Sequence, residues 1–291
     1  MSLFFRNKKA KSDFNEENLP SNRKEVFFDC LKIRFTAFLK LGLLLLLFSL
    51  PLIVVGLVKD NILYYLEVSY LNGEISDEEL SSIYLTTNII FYIVEIFGYM
   101  IFSIGLAGSL RVIRQLVWGE GLFFGQDFFD GIKLNIKHYL LYGFMVGLFN
   151  FLSRTVLLSN IQYEILKAIP FGMCLTIFLP PLLYSLVESQ IYTLKATQEY
   201  KNGFILYIKT LPKTLLATIV ILLMLLFELI TAFIIKYLVI ILFIIFLLPI
   251  ILLGEFLYFI SQLDKYINKE QFPTIYDKGI HRKENKDVRS N

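Results

Sequence analysis

The sequence predicts an all-α integral membrane protein with about six transmembrane helices, arranged as three helical hairpins with amphipathic interface helices at one end. Three observations carry that prediction. The 291-residue chain is 56% hydrophobic and only 18% charged, with a mean hydropathy of +0.63, whereas soluble domains carry roughly 25% charged residues. It contains long runs almost free of charge, such as LGLLLLLFSLPLIVVGLV (41–58), TLLATIVILLMLLFELITAFII (214–235) and YLVIILFIIFLLPIILLG (237–254). A helix of about 20 apolar residues crosses the ~30 Å hydrocarbon core of a bilayer. The third observation is that Lys and Arg fall almost wholly on one side of the predicted spans.

The spans are predicted at 36–58, 88–110, 139–158, 168–188, 214–235 and 237–260. Residues 1–26 form a charged arm, 27–262 the six-helix domain and 263–291 a basic tail. The segment up to Lys40 holds nine Lys and Arg, 111–137 four, 195–213 four, and the chain from Lys265 seven. Only Lys59, Arg154, Lys167 and Lys236 fall on the other side. Positive charge stays in the cytoplasm, so both termini are expected there. The first loop on the far side, KDNILYYLEVSYLNGEISDEELSS, has one Lys and six acids. No secretory leader is expected, because the first 35 residues are polar and charged.

A phrase recurs before two of the apolar runs: FFDCLK at 27–32 and FFDGIK at 128–133. In DFFDGIKLNIK, Phe128, Phe129, Ile132 and Ile136 share one helical face, while Lys133 and Lys137 lie on the other. A helix of this kind is expected at the membrane surface, aromatics in the acyl boundary and lysines among anionic headgroups. Lys32 and Arg34 take the basic role in the first copy. GFILYIKTLPK (203–213) is a third such foot, with Lys209 and Lys213. Aligning 27–48 with 128–149 pairs Asp29 with Asp130, Lys32 with Lys133 and Gly42 with Gly143, as an internal repeat would.

Two carboxylates are the candidate intramembrane polar groups, Glu95 and Glu228, because charge inside a span is costly. With no Lys or Arg expected at their depth, a Gln should replace either with little penalty. Glu188 and Glu255 lie near span ends, where they are expected to reach headgroups or basic feet. Gly105, Ala107 and Gly108 form a small-residue face suited to close helix approach. Pro51, Pro180, Pro181 and Pro249 interrupt apolar runs and should bend them.

The chain carries no P-loop, no G-x-S-x-G and no HExxH, so no catalysis and no cofactor are expected. His138 and His281 stand alone, without the ligand set a metal needs. Cys30 and Cys174 are expected to stay unbridged. The basic patches flank spans, so their expected partners are lipid headgroups rather than nucleic acid.

The stretch SIGLAGSLRVIRQLVWGEGLFFGQDFFDGIKLNIKHYLL (103–141) resembles the core of the YesL-like bacterial membrane proteins, a family defined by a domain of unknown function. The shared features are the small residues Gly105–Gly108, the basic exit Arg111 and Arg114, Gly119–Glu120, and the foot from Asp127 to Lys137. SLPLIVVG (49–56) resembles the end of that family's first span. The resemblance implies a protein of the bacterial cell (inner) membrane, often encoded near carbohydrate-uptake genes, and it implies no catalytic residues. The expectation is therefore an accessory or regulatory component beside a solute uptake system, contacting transporter subunits. The alternative is a transporter that uses Glu95 and Glu228.

Overall fold

A computed structural model describes residues 20–159, 163–221, 226–227 and 229–280. Among these residues the chain is all-α. Six helices are long and apolar enough to cross a membrane: α1 (Arg23–Leu71), α2 (Asp77–Val117), α3 (Phe124–Leu157), α4 (Ile165–Ile191), α5 (Ala196–Val220) and α6 (Phe233–Gln271). The protein is a multi-pass membrane protein.

Two of the feet bend away from their spans. Asn22 caps α1 by accepting the Glu25 N–H at 3.0 Å, and the helix then breaks at Arg34 (φ −121°, ψ 25°). α5 breaks in the same way at Thr210 (φ −121°, ψ 17°), two residues before Pro212. A proline removes a backbone donor and crowds the preceding turn. The foot of α3 instead runs straight into its span. The position aligned with Arg34 is Asn135, which is buried and donates to the Gly131 carbonyl and to Gln190 Oε1, each at 3.3 Å.

The aromatic face of that foot differs from the sequence expectation. Phe28 and Phe129 are exposed, 67% and 58%, as surface-lying residues would be. Phe128 is fully buried, because a Cβ at Gly108 would stand 2.7 Å from its ring. Phe128 is a core anchor rather than an acyl-boundary residue.

α1 has 49 residues, so it is about 70 Å long at 1.5 Å per residue. That is more than twice the hydrocarbon thickness. The segment after Lys59, expected as a loop, is helix: 60–71 and 77–87 form a projecting hairpin. Gly73 turns it at φ 73°, and Ser76 with Glu79 makes a reciprocal capping box, which satisfies two donors at the α2 start.

α2 is central, packing on α1 and most extensively on α3. Gly143 and Gly147 set that seam: a Cβ at Gly143 would stand 2.7 Å from the Tyr99 carbonyl oxygen, and one at Gly147 2.8 Å from Ile96 Cα. Gly42, the repeat partner of Gly143, does the same between α1 and α6, where a Cβ would meet the Ile245 carbonyl at 2.0 Å. Small residues permit this approach, which drives helix association in lipid. α4 packs more on α5 than on α3, and α5 barely touches α6, so of the three hairpins in chain order only α1–α2 is a tight pair.

α4 widens into a π turn at Cys174–Phe178 just before Pro180 and Pro181. α6 does so at Phe243–Leu247 before Pro249. In both, the proline lacks the N–H that would continue the α ladder. The predicted border at Lys236 is displaced: Ile230–Ala232 leave the helix, and α6 begins at Phe233. Unbroken apolarity there, without Gly or Pro, hides the turn in the sequence. The expected tail is helical to Gln271 and folds back. Arg23 pairs with Asp264 at 2.6 Å, and Lys278 reaches Glu120 and the Trp118 ring. Both cysteines are free.

Candidate functional site

At the end of the bundle where the α1–α2 hairpin projects, four helices contribute polar side chains to one cluster. Lys59 of α1 meets Glu95 of α2, Nζ to Oε1 at 3.0 Å, with side chains only 9% and 10% exposed. Asn150 of α3 donates to the other Glu95 oxygen at 3.1 Å. Arg154 Nε donates to Asn150 Oδ1 at 3.1 Å. The Tyr92 ring lies under both cations, 5.0 Å from Lys59 Nζ and 5.6 Å from the Arg154 guanidinium. Beside this, Lys236 of α6 pairs with Asp60 at 2.7 Å, and Tyr237 donates to the same carboxylate at 3.1 Å. Gly56 leaves the room that Tyr237 occupies, since a Cβ there would stand 2.3 Å from its hydroxyl.

This corrects the sequence expectation for Glu95. A cation does sit at its depth, and a Gln would leave Lys59 buried without its counter-charge. Breaking one side of a buried pair destabilises by about 3–5 kcal/mol. Glu228, the other candidate, lies outside the described residues.

A cavity of about 250 Å³ is lined by Lys59, Glu95, Arg154 and Lys236. Lys236 also borders a vestibule of about 1200 Å³ under the projecting hairpin, with Tyr64, Tyr84 and Lys167 on its walls. Toward the bundle centre, Tyr99 and Phe102 separate the charged cavity from another of about 280 Å³. That one is walled almost wholly by apolar side chains from α2, α3, α4 and α6.

The opposite, basic end holds a different network. Gln190 donates to Tyr139 Oη at 2.9 Å and to the Ala107 carbonyl at 3.3 Å. Arg114 donates to the Gln190 carbonyl at 2.7 Å. Glu188 and Glu199 are fully buried. Tyr142 donates to Glu199, and His138 Nδ1 lies 3.5 Å from its other oxygen. Asn202 donates to Glu188 at 3.4 Å. Glu188 was expected to reach headgroups, but the close α4–α5 packing turns it inward. Gly203 makes that packing possible, because a Cβ there would meet the Pro181 carbonyl at 2.5 Å.

Lys32, Arg34, Lys133, Lys137, Lys209 and Lys213 are all exposed, and Lys209 Nζ lies over the Tyr266 ring at 5.5 Å. They are spread along three helices and form no pocket with one another. Gly105, Ala107 and Gly108 are buried, but the two glycines receive the Phe48 and Phe128 rings rather than a helix backbone. Lys59, Arg154 and Lys236 stand out in the sequence only as cations on the far side, and nothing there marks Asp60, Asn150, Tyr142 or Glu199 as site residues.

No protein-family model, curated protein or solved structure matches this chain. What the clusters can do follows from their chemistry. Among the described residues there is no group of three His, Cys, Asp or Glu side chains placed to hold a metal. The hairpin-end cluster joins two lysine–carboxylate pairs with Asn150 and Arg154, and it ties α1, α2, α3 and α6 together.

Proposed function

We propose that the chain is a non-catalytic component of the bacterial cell membrane, with both termini cytoplasmic, acting as an accessory or regulatory partner beside a solute (carbohydrate) uptake system. The observation that carries this reading over a carrier is the Lys59–Glu95–Asn150 contact. Both Glu95 oxygens are engaged, and the cavity inward of Asn150 is apolar. A carrier needs a carboxylate that exchanges its partner for a proton or ion, and a polar path beyond it. A locked carboxylate above an apolar space suits a scaffold. The projecting hairpin, with Tyr65 and Leu71 well exposed, supplies surface for a membrane partner.

The interrupted α4 and α6 favour the second reading, a transporter using Glu95 and Glu228, since paired broken helices often flank a transport site. Mild-detergent pull-down with partner identification, alongside a proteoliposome flux assay, separates the two. Co-purifying transporter subunits and no flux support the accessory role. A solute or proton flux that Glu95→Gln abolishes while still inserting replaces it with the transporter reading.

A further inference from the structure

The apolar cavity of about 280 Å³ lies inside the bundle, behind the seam where α3 packs only sparsely on α4. Its walls include Phe102, Leu106, Val146, Leu175, Leu182 and Leu252. Its size is near the lower end of ligand pockets, about 300–1,000 Å³. One polar group on the wall stands out. Ser153 is 2% exposed, and its hydroxyl has no hydrogen-bond partner. Ser103, the other serine on that wall, donates to the Met100 carbonyl; Ser49, Ser185 and Ser189 likewise donate to carbonyls three or four residues earlier, while Ser109, which also lacks a partner, lies away from the cavity. A buried hydroxyl without a partner loses the hydrogen bonds it had in water.

We infer that this cavity binds one acyl chain of a membrane phospholipid, with the lipid's polar linkage at Ser153 and its chain running past Val146. The orientation fits the bilayer. Ser153 and Asn150 lie at the level of the hairpin-end charged cluster, next to Arg154. Val146 lies seven residues deeper on the same helix, about 10 Å. The chain thus points from one membrane surface toward the midplane, as a lipid of that leaflet does. An ester carbonyl accepts the Ser153 hydroxyl, and the methylenes cover the apolar walls. Solutes and ions are poor occupants, because the deeper walls offer them almost no polar partner.

The test is native mass spectrometry of the full chain released from phosphatidylglycerol nanodiscs. The wild type should retain one lipid per chain. Val146→Phe fills the cavity and should cut retention about tenfold, the equivalent of excluding two methylenes. Ser153→Ala removes only the hydroxyl and should cut it about fivefold, the size of one net hydrogen bond. Ser153→Ala also stands alone if Val146→Phe does not fold. Equal lipid retention in the wild type and Ser153→Ala, or retention in a folded Val146→Phe that matches the wild type, overturns the proposal. So does a wild type that retains no lipid.

Discussion

The two ends of the bundle bury carboxylates by different means. At the hairpin end, Glu95 and Asp60 each meet a lysine, at 3.0 and 2.7 Å. At the basic end, Glu188 and Glu199 are fully buried but meet Asn202, Tyr142 and the half-exposed His138. Among the described residues neither forms an ion pair with Lys or Arg. The contrast is unexpected, because Lys and Arg are concentrated at the basic end. There the foot lysines face outward and the two glutamates rely on neutral donors, while Arg23 turns onto Asp264 and Arg114 onto the Gln190 carbonyl. At the end where cations are scarce, those present turn inward. Burial of charge is a matter of side-chain direction, not of regional composition.

The largest effect that follows is at Lys59. Lys59→Met leaves Glu95 buried beside Asn150 alone and should lower stability by about 3–5 kcal/mol, read by thermal unfolding in detergent. A loss under about 1 kcal/mol, the range of exposed pairs, would mean that water reaches the pair and the contrast between the ends is lost.

Both clusters depend on the α2–α3 seam, which holds Asn150 at one end and Tyr142 at the other. Gly143→Ala drives a methyl into the Tyr99 carbonyl and Ser103. A loss of about 1–3 kcal/mol is expected from such overpacking. A fully stable variant would show that the two clusters are not set by one rigid pair of helices.

The outward lysines of the basic end are tested by Lys133→Glu with Lys137→Glu. Each basic residue near an anionic surface contributes about 1 kcal/mol. Protease resistance should fall in phosphatidylglycerol vesicles and stay unchanged in phosphatidylcholine. Loss in both lipids would mean these side chains support the fold itself.

The smallest effect is expected at Glu199. If its burial relies on neutral hydrogen bonding, Glu199→Gln keeps an acceptor for Tyr142 and should change stability at neutral pH by less than about 1 kcal/mol. A loss as large as that of Lys59→Met would mean that Glu199 itself is ionised and its charge is part of the fold.

The sequence carried the helices, because apolar length is a local property. Within the predicted repeat, Gly42 and Gly143 both sit at close helix crossings. The cluster was legible in a form not recognised: three of the four cations that broke the asymmetry, Lys59, Arg154 and Lys236, gather there. What was not legible depends on which helices touch. Nothing local pairs Lys59 with Glu95, 36 residues away, or turns Phe128 toward Gly108. Glu199 was hidden because α5 begins 18 residues before the predicted span, so a buried position looked like part of a loop.

A double-mutant cycle between Lys59 and Glu95 tests the paired-charge claim most directly. Unfolding free energies are measured in one detergent for the wild type, Lys59→Met, Glu95→Gln and the double variant. Because each single change strands its partner, the double variant should lose less than the two singles together. A coupling of about 1–3 kcal/mol is predicted, the range for residues in direct contact. Effects that add to within about 0.5 kcal/mol, as those of distant sites do, would contradict the pair and the locked carboxylate built on it.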